Sequence, residues 1–88
     1  MLTWYELEHK ADTYLAEKYP NRNRDYNGTD FLFDIMQNGE DGETVDGVHE
    51  THWFVPSEYH DFAGVVRAYW IPAQDEDGED QEIGYALD

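Results

Sequence analysis

The apolar residues of this chain change their spacing once. Leu7, Ala11, Tyr14, Leu15 and Tyr19 recur at the three- and four-residue intervals of one helix face. Phe31, Leu32, Ile35 and Met36 repeat that spacing over a shorter span. From Val48 the interval drops to two. In VHETHWFV, Val48, Glu50, His52 and Phe54 fall on one side, and His49, Thr51, Trp53 and Val55 on the other. A helical period followed by a strand period predicts an α+β domain.

Local signals place the boundaries. Thr3 followed by Glu6 is a capping box, with Leu2 and Leu7 at hydrophobic-staple positions, and Pro20 closes the first helix. PNRNRDYNG is a turn-rich connection. The second helix has Asn27, Thr29 or Asp30 as its cap, FLFDIMQ as its body and Asn38-Gly39 as its stop. GEDGETVDG (Gly39 to Gly47) carries three glycines among its acids and is expected to be an acidic loop. Pro56 ends the first strand, and Ser57 is expected to cap a helical turn closed by Gly64. VVRAYWI (Val65 to Ile71) is rich in β-branched and aromatic residues, and EIGYAL (Glu82 to Leu87) follows, with Gly84 weakening the strand or marking a bulge. A turn at Asp77-Gly78 would set Trp70 opposite Tyr85 and Ala68 opposite Leu87. The expected architecture is one domain spanning 1–88, two N-terminal helices packed on an antiparallel sheet of about three strands.

Charge limits what such a domain can do. The chain holds 21 acids against 5 bases, a net charge of −16 over 88 residues. Self-repulsion at that density lowers the stability of a compact fold, and solubility alone asks for a net charge of only about 2 to 8 in magnitude. Fourteen aromatic residues (three Trp, seven Tyr, four Phe) supply the burial that a small core needs. Direct nucleic-acid binding is excluded, because it depends on Lys and Arg neutralising phosphates. Anionic membrane surfaces are disfavoured for the same reason. No basic segment followed by an apolar run opens the chain, and no run approaches membrane-spanning length, so a cytoplasmic setting is expected. Negative charge in this excess favours a basic partner.

The motifs of chemistry are missing or fail on inspection. HETH (His49 to His52) spaces its histidines three apart in an extended segment, which sends the rings to opposite faces and makes no zinc site. Aligning Gly78 with the glycine of an EF-hand loop puts Ala73 and Gly84 where end ligands belong. Without cysteine, with Ser57 as the single serine and with no phosphate-cradling loop, the chain reads as a non-enzyme that needs no metal or cofactor.

The acids themselves are then the candidate site. QDEDGEDQ (Gln74 to Gln81) places Asp75, Glu76, Asp77, Glu79 and Asp80 around one glycine, with Glu82 adjoining. Glu40, Asp41, Glu43 and Asp46 form a second cluster. In size, acidity, lack of cysteine and aromatic-rich core, the chain resembles the phage-encoded DNA-mimic inhibitors of host defence, the anti-restriction and anti-CRISPR proteins. That resemblance is one of composition over the whole chain, and no functional residue transfers by position. It implies a small viral inhibitor in the host cytoplasm that fills the DNA or RNA channel of a basic nucleic-acid-binding protein. Two other readings fit the same acids. One is an immunity protein or antitoxin anchored by Tyr5, Tyr26, Tyr59 and Trp53 in a toxin's active site. The other is a salt-adapted domain of unrelated function. An edge at Glu82 to Leu87 also leaves room for a homodimer.

Overall fold

The structure is a computed structural model that describes residues 1–74 and 76–88. Helices α1 (Trp4–Lys18) and α2 (Gly28–Ile35) precede strands β1 (Glu40–Val45), β2 (Val48–Phe54), β3 (Val65–Ile71) and β4 (Gln81–Leu87). The strands form one antiparallel sheet in the order β1-β2-β3-β4. The fold is therefore α+β with N-terminal helices, as the spacing of apolar residues predicts.

Both helices start where their side chains dictate. Thr3 accepts from the Glu6 amide while Glu6 accepts from the Thr3 amide, and Asn27 and Asp30 repeat this reciprocal pair for α2. The stripe Leu7, Ala11 and Leu15 is buried against Phe31, Leu32 and Ile35. Gly28 lets the helices approach closely, since a Cβ there would lie 2.5 Å from the Glu8 carbonyl oxygen. Its amide donates to Asp12 Oδ1.

Only one face of the sheet meets the helices. Trp53 pairs with Val66 and Thr51 with Ala68, while Leu87 pairs with Val66 and Tyr85 with Ala68. Val66, Ala68 and Tyr85 are buried with the helical stripe. The opposite face carries Glu50, His52 and Phe54 of β2 beside Tyr69, Arg67 and Val65 of β3. There Arg67 bonds Glu50 and Asp88, which hold its guanidinium charged. Leu2 extends the sheet at one point, exchanging two backbone hydrogen bonds of 2.8 Å with Tyr85.

Three local expectations are corrected. GEDGETVDG is not a loop: Glu40 to Val45 form β1, so the sheet has four strands. Asp46 and Gly47 both take positive φ (52° and 81°), the two-residue geometry that matches the twist of paired strands, and Val45 opposes Val48. A bulge between Asp41 and Thr44 accommodates Gly42 and Glu43. The last hairpin is also re-registered. Ala68 faces Tyr85 and Trp70 faces Glu82, with a bulge between Tyr69 and Trp70, and pairing ends at Ile71 and Gln81. Pro72 has no amide to continue the ladder, and Glu76, Asp77, Glu79 and Asp80 lie outside the paired strands. Finally, Ser57 makes no capping bond. The 3-10 turn Ser57–Tyr59 is introduced by Pro56 and closed by backbone bonds alone.

Candidate interaction surface at the hairpin end of the sheet

In a sheet that runs up and down in sequence order, alternate connections share an end. The β1–β2 turn at Asp46-Gly47 and the β3–β4 connection from Pro72 to Asp80 therefore lie together. The connection from Val55 to Gly64 lies at the other end, where Val55 and Ala63 join the helical core. The register sets Val45, Val48, Ile71 and Gln81 in one row beneath this outer end. Asp46 of the first acidic cluster is thus brought to the end of the sheet that carries the second, whereas Glu40 and Asp41, opposite His52 and Thr51, lie at the other end of β1. The molecule measures 46 × 24 × 21 Å with a radius of gyration of 14.4 Å. A compact chain of this length would have roughly 12 Å, so the shape is elongated.

Asp75, one of the predicted site residues, lies outside the described residues. Glu40, Asp41, Glu43, Asp46, Glu76, Asp77, Glu79, Asp80 and Glu82 are all exposed. They are not equally free. Glu40 lies 3.5 Å from His52, and Asp41 lies 3.4 Å from His49. Asp80 accepts a hydrogen bond of 2.8 Å from the Ala73 amide. Glu43, Asp46, Glu76, Asp77 and Glu79 make no side-chain hydrogen bond or ion pair among the described residues. Arg67 is the single base between Gly39 and Asp88. It sits at the level of His52, toward the helical end, with both its carboxylate partners already in place.

The two histidines of HETH do face opposite sides. His49 Nδ1 shares a hydrogen bond of 2.7 Å with Thr44 Oγ1, and its ring meets Trp70 edge-on at 4.8 Å. His52 Nδ1 lies 2.9 Å from Glu50 Oε1 on the other face. Among the described residues no group of His, Asp and Glu is arranged to hold a metal ion. No described helix is long and apolar enough to cross a membrane.

Beside the acids lies a cavity of about 340 Å³ on the helix-side face. Its floor is Thr51 and Ala68, its walls include Trp53, Trp70 and Tyr85, and Asp80 and Glu82 stand at its rim. Trp70 Nε1 donates to Thr51 Oγ1 at 3.1 Å. Burial and the Glu82 carboxylate push the Tyr85 hydroxyl up to about 12. Of these residues only Trp53 and the acids stand out in the sequence. Thr51 and Trp53 do share a face there by alternation, but the cavity needs the β2–β3–β4 register. Tyr26 and Tyr59 instead line a larger cavity of about 640 Å³ at the C-terminal end of α1, where Arg22 bonds the carbonyls of Tyr26 and Tyr19. Tyr5 is 78% exposed.

Comparison with known proteins finds no protein-family model, no curated protein and no solved structure that matches the chain.

Proposed function

We propose that this protein is a stoichiometric inhibitor that occupies the nucleic-acid channel of a basic protein, of restriction or CRISPR effector type, by presenting carboxylates in place of phosphates. The observation that supports this reading is that Asp46, on the β1–β2 turn, shares one end of the sheet with the acidic β3–β4 connection, while Arg67, the single lysine or arginine from Gly39 onward, is placed farther along the sheet beside Glu50 and Asp88. The roots of the two acidic connections are two strand spacings apart, about 10 Å. That lies between the minor- and major-groove widths of B-DNA, about 6 and 12 Å. Carboxylates at such separations offer a basic channel the field it is built to meet, and steering by that field speeds encounter. A mimic has no phosphodiester to cut and no base to modify, so it stays bound. The work is done by surface and charge, and no residue is assigned a catalytic role.

The test is displacement. DNA bound to restriction and CRISPR effector complexes is challenged with the protein at rising salt. Displacement at low salt that weakens steeply as salt increases supports mimicry, because screening removes the attraction. No binding to any such complex at low salt ends the reading. Tight binding indifferent to salt favours the immunity-type plug, in which shape and aromatic anchors dominate.

A further inference from the structure

The carboxylates account for attraction to a basic surface but not for selection among basic groups. We propose that the cavity between Trp53, Trp70 and Tyr85 is a receptor for one cationic side chain of the partner, an arginine guanidinium in preference to a lysine ammonium. This rests on the reading of the partner as a basic protein and names the contact it makes.

Three features point to that ligand. The walls are aromatic, and the faces of indole and phenol rings carry negative potential that attracts a cation. Asp80 and Glu82 stand at the rim, and a planar guanidinium can pair a carboxylate while it stacks on a ring, which an ammonium cannot. No lysine or arginine is among the described residues that line the cavity, and Arg67 lies on the opposite face, bonded to Glu50 and Asp88.

The cavity is also held open from behind. Thr51 and His49 fix Trp70. Trp53 rests on Gly39, where a Cβ would lie 2.5 Å from the indole Nε1. Tyr85 packs on Trp4 with ring centroids 5.4 Å apart. A receptor already in its bound shape loses little entropy on filling. Solvated acids alone would take lysine and arginine side chains alike, by charge.

The experiment titrates ¹⁵N-labelled protein with hepta-arginine and hepta-lysine peptides at low salt, following the three indole N–H resonances. The expected result is about threefold tighter binding of hepta-arginine. Trp53 and Trp70 signals should shift more than that of Trp4. Trp53→Leu and Glu82→Gln should each remove most of the preference while the spectrum stays dispersed. Should Trp53→Leu fail to fold, Glu82→Gln and the wild-type indole shifts carry the test. Binding of both peptides with equal affinity, with the Trp53 and Trp70 indoles unmoved, overturns the receptor and leaves the basic-partner reading standing. A preference unchanged in the folded variants also overturns it. Failure to bind either peptide overturns both.

Discussion

The Ala73 amide donates to Asp80 Oδ1 at 2.8 Å, so one acid of QDEDGEDQ ties down the connection that displays the others. Charge and hydrogen-bonding capacity separate at this residue. Asp80→Asn keeps an acceptor oxygen and removes the charge, whereas Asp80→Ala removes both. Amide exchange at Ala73 is expected to stay slow in the first variant and to accelerate several-fold in the second. Equal acceleration in both would mean that charge, not the bond, holds the connection.

Gly28→Ala sets helix propensity against packing. Alanine is favoured over glycine by about 1 kcal/mol in a helix interior, an advantage only partly available at the first residue of α2, and the new methyl would lie 2.5 Å from the Glu8 carbonyl oxygen and 2.9 Å from the Asp12 amide nitrogen. Both are backbone atoms of α1 and cannot turn aside. Packing is expected to win, with a net loss of about 1–3 kcal/mol in urea unfolding.

At Gly47 the same substitution meets open space, and its cost is conformational. A φ of 81° is unfavourable for alanine by about 1 kcal/mol. The loss should be confined to the β1–β2 hairpin. Amides of Glu40 to Val45 are expected to exchange faster while those of α1 keep their protection. Uniform loss of protection would show that β1 unfolds only with the whole domain.

Alkaline pH should destabilise the fold. Burial, then the Asp61 and Asp34 carboxylates that accept hydrogen bonds from them, raise the Tyr14 and Tyr26 hydroxyls above the ordinary tyrosine value. Burial and Glu82 raise Tyr85 to about 12. A group raised in the folded state contributes its full stability below its unfolded value, about 10, and loses it as pH climbs toward the folded value. The urea midpoint should hold level to about pH 9 and fall between about pH 10 and 12. Tyr26→Phe should make that fall shallower.

How much of this is legible in the sequence depends on the range of the signal. The helices were written locally, in Thr3 and Glu6, in Asn27 and in the Leu7-Ala11-Leu15 stripe; the end of α1 follows from Pro20, whereas α2 stops at Ile35, short of the expected Asn38-Gly39 stop. β1 was hidden by composition, because glycine and acids are depleted in strands. The informative residues were Asp46-Gly47 between Val45 and Val48, a hairpin turn signal. A turn at Asp77-Gly78 implied a long hairpin, but pairing ends at Ile71 and Gln81, because Pro72 cannot continue the ladder. The meeting of Asp46 with the second acidic cluster follows only once β1 is a strand. The cavity at Trp53 and Trp70 needs the full register and is not readable from any one segment.

The central claim is that position, and not total charge, makes the acids functional. It is tested by two variants of equal charge. One neutralises Glu76→Gln, Asp77→Asn and Glu79→Gln at the hairpin end. The other neutralises the exposed Glu17→Gln, Asp25→Asn and Glu58→Gln elsewhere. Each is measured beside the wild-type protein for displacement of DNA from restriction and CRISPR effector complexes. At about 0.5 kcal/mol per exposed charge pair, the hairpin variant should bind about tenfold more weakly. The other should stay within about threefold of wild type. Equal weakening in both would contradict a localised charge surface, and no weakening in either would contradict charge mimicry itself.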